Sequence, residues 1–132
     1  AGVENAGSAF IYSGATGALL YRLNGTARFD EFAASVAGGG DVNGDGIPDL
    51  VIGSPGASPN GRVGAGSAFV FSGRNGEPQF CWDGEATGDS LGRSVAIVGD
   101  LNGDGAAELA VGAPYASPQG REGAGTVFVL SY

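Results

Sequence analysis

The sequence predicts an all-β chain made of four-stranded antiparallel units repeated in series, and three observations carry that reading. Among 132 residues there are 27 Gly and 6 Pro, yet 42% are hydrophobic. The Gly residues punctuate short apolar runs instead of replacing them, the pattern of many short strands joined by tight turns. No stretch sustains a helical apolar period over three turns. The chain also repeats itself at a fixed spacing of 59 residues, the mark of stacked supersecondary units.

The segment Ala6-Gly7-Ser8-Ala9-Phe10-Ile11-Tyr12-Ser13-Gly14 returns as Ala65-Gly66-Ser67-Ala68-Phe69-Val70-Phe71-Ser72-Gly73, and again from Ala124 to Tyr132. Ser35-Val36-Ala37 matches Ser94-Val95-Ala96, and Leu50-Val51-Ile52-Gly53 matches Leu109-Ala110-Val111-Gly112. The period divides a single domain, residues 1–132, into a partial unit 1–28, a full unit 29–87 and a partial unit 88–132. In the full unit the strands are expected at about Ala34–Gly39, Asp49–Gly53, Gly66–Ser72 and Pro78–Trp82. The first two runs are small and apolar on both faces, which predicts buried inner strands. The fourth is bulkier and mixed, as an outer edge should be. Such units in series suggest β-propeller blades, here about two plus a partial one, against typically about 4–8 in a closed ring. The expectation is an incomplete propeller that oligomerises or belongs to a longer parent chain, with a sandwich of the same strands as the fallback. Residue 1 is Ala, which is expected of a chain that has lost a signal peptide or was cut from a larger one.

The most specific motif is a nine-residue acidic loop. Asp41-Val42-Asn43-Gly44-Asp45-Gly46-Ile47-Pro48-Asp49 recurs as Asp100-Leu101-Asn102-Gly103-Asp104-Gly105-Ala106-Ala107-Glu108. Side-chain oxygens fall at loop positions 1, 3, 5 and 9, and a Gly at position 6 makes the turn without Cβ strain. Position 7 (Ile47, Ala106) adds a backbone carbonyl. A hard cation such as Ca²⁺ takes about six to eight oxygens at roughly 2.3–2.6 Å, and a short chain supplies them this way. An EF-hand would need a carboxylate at position 12, where Ile52 and Val111 stand, so Asp49 and Glu108 must close the shell at the start of the next strand. The plain alternative is a pair of Asx-rich turns, which Asn-Gly and Asp-Gly support; two copies in matched context favour the cation. Glu108 is one methylene longer than Asp49, which predicts a looser second site.

These residues resemble the FG-GAP repeats of integrin α-chain β-propellers and their bacterial relatives. The hallmarks are a Phe-Gly pair, a DxDxDGxxD loop and Gly-Ala-Pro ending the second strand. The last is Gly53-Ser54-Pro55 and Gly112-Ala113-Pro114 here, while the first is Phe32-Ala33 and Leu91-Gly92, each short of one member. The resemblance implies four-stranded blades with two Ca²⁺ sites. Their ligands would be Asp41, Asn43, Asp45, Ile47 (carbonyl) and Asp49, and Asp100, Asn102, Asp104, Ala106 (carbonyl) and Glu108. Ligand recognition by a whole integrin does not carry over, because it depends on a complete propeller and a partner subunit.

Charge and composition narrow the function further. The net charge is −8, all six basic residues are Arg, and six of the fourteen acids sit in the two loops. Two bound Ca²⁺ would bring the charge to −4, so much of the acidity reads as a metal site. An acidic chain without a basic stripe argues against nucleic acid and anionic membranes, and apolar runs are far shorter than a spanning helix needs. One Cys excludes an intrachain disulfide and a Cys-based zinc cluster; with no His, imidazole catalysis is excluded.

Asp30-Glu31 and Asp89-Ser90 resemble a glycosidase carboxylate pair, but Asp30 and Asp89 hold equivalent repeat positions and read as structural. Trp82, Tyr21, Tyr115 and Phe80 read as blade packing, Cys81 as a buried small apolar residue, and Arg62 and Arg121 as carbonyl caps or partners of an acid. The function expected is a non-catalytic, secreted or cell-surface, Ca²⁺-binding module that engages neighbouring blades, a second copy or a protein ligand. The rivals are an accessory segment of a secreted hydrolase, a catalytic propeller and a dockerin-like helical Ca²⁺ module, which would need helices after Gly46 and Gly105.

Overall fold

The computed structural model describes residues 3–132; the first two residues of the leading unit lie outside the described residues. Nine strands form in order: β1 Ser8–Tyr12, β2 Leu19–Asn24, β3 Ser35–Gly38, β4 Leu50–Ser54, β5 Ser67–Phe71, β6 Pro78–Asp83, β7 Ser94–Gly99, β8 Glu108–Ala113 and β9 Thr126–Leu130. They make three sheets, β1-β2, β3-β4-β5-β6 and β7-β8-β9, with every neighbouring pair antiparallel. Apart from two 3₁₀ turns at Pro59–Gly61 and Pro118–Gly120, no helix forms among the described residues. The chain is therefore all-β, built of one whole four-stranded blade and parts of two others. Among the described residues no helix is long and apolar enough to cross a membrane.

Each strand has its position in the repeat, and the connections recur with it. Residues leading into a sheet are latched by backbone hydrogen bonds to the preceding unit. The N–H of Phe32 donates to Ala6 O at 2.8 Å and that of Glu31 to Asn5 O at 3.2 Å; one period on, Leu91 donates to Ala65 O at 2.9 Å and Ser90 to Gly64 O at 3.1 Å. Phe32 and Leu91 are buried at these joints. The residue after each holds a positive φ, +69° at Ala33 and +87° at Gly92. Its N–H reaches across to the second strand, Ala33 to Gly53 O and Gly92 to Gly112 O, both at 3.0 Å. A Cβ on Gly92 would run into the Ser67 carbonyl and stand 3.0 Å from the Ser54 nitrogen. This is a physical reason for a Phe-Gly signature: an apolar latch followed by a left-handed residue, which at Gly92 has no room for a side chain.

The core lies between the second and third sheets. Alternate residues Leu109, Val111 and Ala113 of β8 face Val51 of β4, Ala68 and Val70 of β5 and Val42 of the first acidic loop; Trp82, Val95, Ile97, Phe128 and Leu130 close the margins. Full burial of one such aliphatic side chain contributes roughly 1.5–3 kcal/mol. On the opposite side Phe32, Phe69 and Phe71 form an aromatic trio with centroids 5.8–6.4 Å apart, Phe32 edge-on to Phe71 and the other two pairs tilted.

Two expectations need correction. The first strand of the unit is not a buried inner strand: β3 is an edge, and Val36 is 56% exposed. Short apolar runs carry the same composition whether a sheet has a neighbour on one side or two, so the buried pair is β4 and β5. Cys81 is exposed, not buried, because β6 is the opposite edge and alternation turns Phe80 and Trp82, not Cys81, toward other aromatic rings. Of the remaining residues singled out, Asp30, Asp89, Arg62, Tyr21, Phe80 and Trp82 make structural contacts, whereas Tyr115 does not pack as expected and Arg121 meets neither a backbone carbonyl nor an acid. Asp30 and Asp89 accept from the N–H of Ala27 and Ala86, closing equivalent turns. Arg62 caps Gly84 O at 3.0 Å, while Arg121 reaches Gln119. Trp82 packs in the core, Tyr21 donates to Arg74 O, and Tyr115 is exposed.

The left-handed joints give a paired prediction. Ala33→Gly relieves a strained L-residue and should raise unfolding stability by on the order of 1 kcal/mol. Gly92→Ala adds strain and a backbone clash and should cost about 2 kcal/mol or more. Denaturant unfolding of the two variants beside the parent measures both.

Candidate metal centre

Each acidic loop joins the first and second strands of a sheet, and its curl comes from its own side chains. Asp41 accepts through Oδ1 from the N–H of Gly44 (2.7 Å) and Asp45 (3.1 Å), and through Oδ2 from Gly46 (2.7 Å). Asn43 Oδ1 accepts from Asp45 at 3.0 Å, and Asp45 Oδ1 from Ile47 at 2.8 Å. The second loop repeats the scheme: Asp100 takes Gly103, Asp104 and Gly105, Asn102 takes Asp104, and Asp104 takes Ala106. In each loop four N–H groups that would face water are thereby turned toward carboxylate and amide oxygens.

The ninth position is the anchor. Asp49 is 2% exposed, and its Oδ2 accepts from Val42 (2.8 Å) and Asn43 (3.2 Å) while Oδ1 accepts from Gly73 (3.1 Å) in the β5–β6 turn. Glu108 is 4% exposed and accepts from Leu101 (2.6 Å) and Asn102 (3.3 Å), from the Asn102 amide and from the Ser131 hydroxyl. A buried carboxylate is costly unless hydrogen-bonded, and no buried side-chain polar atom lacks a partner among the described residues.

The loops differ in how far the acids close. One oxygen from each of Asp100, Asp104 and Glu108 lies within 4.8 Å of the others, the one such acidic group among the described residues. The extra methylene of Glu108 thus goes with a closer acidic group in the second loop. In the first loop Asp45 Oδ2 is taken at 3.0 Å by Arg74 Nε. Oxygen-only donors, a Gly at the sharp turn (φ +83° at Gly46, +92° at Gly105) and converging carboxylates suit a hard divalent cation. The carbonyls of Ile47 and Ala106 belong to the same turns. Sequence reasoning missed Arg74, because nothing in its local context marks it as lying beside a loop 29 residues away.

Electrostatics follow the hydrogen bonds. Asp45 is held below its ordinary 3.8 chiefly by the Ile47 N–H and then by Arg74; Asp100 is held down chiefly by the Gly105 N–H. Cys81 goes the other way. Although Cys81 lies on the exposed edge strand, partial desolvation of its sulfur and then the Asp83 carboxylate 3.3 Å away push the thiol up to about 12.

These antiparallel sheets, latched at one phase and each entering its second strand through a DxNxDGxxD-type loop, define an integrin-like propeller-repeat module. The FG-GAP repeat model matches residues 32–71 and 91–130, more than half of the chain, which therefore belongs to the FG-GAP repeat family. Integrin alpha-PS2 of Drosophila melanogaster is 31% identical over 121 residues, covering 84% of this chain and 8% of that protein. Integrin alpha-3 of Cricetulus griseus is 31% identical over 134 positions (96% and 12%), and integrin alpha-IIb of Homo sapiens 34% over 111 (77% and 11%). The chain thus spans about a tenth of the length of the curated relatives it matches.

Two measurements check the electrostatics. A depressed carboxyl stabilises the fold fully above its unfolded value and loses that contribution as pH falls through the folded one. In chelator, stability should therefore be level above about pH 5 and decline below about pH 4 as Asp45 and Asp100 protonate, followed by denaturant unfolding across that range. Cys81 should react with iodoacetamide at pH 8 on the order of 100-fold more slowly than free cysteine, and Asp83→Asn should speed it, both read by mass spectrometry.

Proposed function

We propose that this chain is a non-catalytic structural and protein-interaction module whose two acidic loops bind Ca²⁺. The observation that carries the reading is the second loop, where Asp100, Asp104 and Glu108 close to within 4.8 Å in the same frame of loop hydrogen bonds as the first. Asp41, Asn43, Asp45, the Ile47 carbonyl and Asp49 would hold one ion, and Asp100, Asn102, Asp104, the Ala106 carbonyl and Glu108 the other. The bound ion supplies charge neutralisation; the residues supply a turn already curled toward it. Sites of this kind in extracellular modules are weak, with Kd about 10⁻⁴–10⁻³ M, which favours a secreted or cell-surface setting where Ca²⁺ is abundant.

The interaction half of the proposal rests on what the third sheet leaves uncovered. Val70 of β5 is fully buried, while its repeat mate Val129 is 57% exposed; Val42 of the first loop is buried, and its mate Leu101 is 63% exposed. That apolar face is suited to a further blade, from a second copy or from a longer chain, or to a protein ligand. The units 1–28, 29–87 and 88–132 would then be the portions that such neighbours complete.

Calorimetric titration with Ca²⁺, paired with melting curves in Ca²⁺ and in chelator, tests the cation reading. Two sites and a higher melting temperature with Ca²⁺ are expected, a 100-fold excess over Kd adding about 2.7 kcal/mol, and Asp100→Asn should abolish one site. No heat and no melting shift at millimolar Ca²⁺ would sink it.

A further inference from the structure

The two loops share a hydrogen-bonding scheme but not their surroundings, and the difference falls on one oxygen. In both, the fifth-position carboxylate spends Oδ1 on the N–H two residues on, Ile47 or Ala106. Its other oxygen is the one left for a cation. Asp104 Oδ2 has no ion-pair partner among the described residues, whereas Asp45 Oδ2 is held by Arg74 Nε at 3.0 Å. The same guanidinium donates through an Nη atom to the Asp45 backbone carbonyl at 3.1 Å. A fork on both the side chain and the main chain of one residue is fixed in a way that a single surface contact is not.

Arg74 is itself positioned from a third element. It lies in the β5–β6 turn, where its N–H donates to Ser72 Oγ, and its carbonyl accepts the Tyr21 hydroxyl of β2, in the neighbouring sheet, at 2.9 Å. The Tyr21 ring packs on Gly76 of the same turn, within 2.7–3.2 Å of where a Cβ there would sit. One period on, Tyr21 is replaced by Phe80, which has no hydroxyl and stacks on Tyr132.

We propose that Arg74 is a resident counter-cation of the first loop. It neutralises Asp45 and holds the loop curled without metal, and a divalent ion must displace it. The first loop then fills only as Arg74 swings away, which links its occupancy to the contact of Tyr21 with the β5–β6 turn. This rests on the cation reading above and deepens it by assigning the residue that sets the affinity of that loop.

The test uses the whole chain and Ca²⁺ in calorimetric titration. Asp104→Asn leaves the first loop to be measured alone, and Asp45→Asn leaves the second. Adding Arg74→Gln to Asp104→Asn should tighten the first loop roughly five- to ten-fold, the scale of an exposed ion pair with one added hydrogen bond, and Arg74→Gln added to Asp45→Asn should change nothing. In the parent protein the Arg74 Nε–H resonance should shift as the first loop fills, a readout that needs no variant to fold. An unchanged or weaker first loop on loss of Arg74, or an Arg74 resonance that does not move as that loop fills, overturns the assignment while leaving Ca²⁺ binding intact. Absence of binding in the parent and in Asp45→Asn overturns the cation reading itself, and the two failures are thereby told apart.

Discussion

A carboxylate withdrawn from water at the entrance to a strand sets the terms for the rest of this structure. Asp49 and Glu108 are buried where the second strand of their sheets begins, and ionised groups persist there only when every oxygen is satisfied. The nearest donors are the N–H groups at positions two and three of the loop that has just left the first strand. Satisfying the buried acid therefore pulls the loop back on itself. In the second loop positions one, five and nine come within 4.8 Å of one another, and in the first loop the curl drives Val42 into the core between sheets. Strand pairing, core packing and the oxygen cluster are consequences of the same bonds.

The second governing fact is seriality. Each sheet is latched to the one before it through backbone bonds at a single phase of the repeat, so stability is built from units and their nearest neighbours. That explains why equivalent residues behave differently: Val70 and Val42 have a sheet over them, whereas Val129 and Leu101 do not. It also explains the asymmetry of the loops. The first loop lies under a β5–β6 turn that brings Arg74 and Gly73 to it; the second meets Ser131 beyond β9.

The phase of the repeat, the all-β class, the antiparallel four-strand order and the oxygen spacing of the loops were legible in the residues, because each is a short-range property. Turn residues, apolar alternation and side-chain oxygens at fixed offsets act within a few positions and recur 59 residues later. Family membership follows from the same short motifs. Burial was less legible. The composition of Ser35–Gly38 is that of an inner strand, yet a sheet with one neighbour leaves Val36 in solvent, and Cys81 falls on the outward phase of an edge.

What the tertiary structure alone decided is which long-range partner each site acquires. No local signal says that Arg74 reaches Asp45, that Tyr21 braces Arg74 from another sheet, or that Glu108 draws its loop's acids closer than Asp49 does. The reason is physical. Ligand spacing is written along one turn of chain, whereas burial and counter-charge depend on the faces that neighbouring sheets bring together, and those neighbours are distant in sequence.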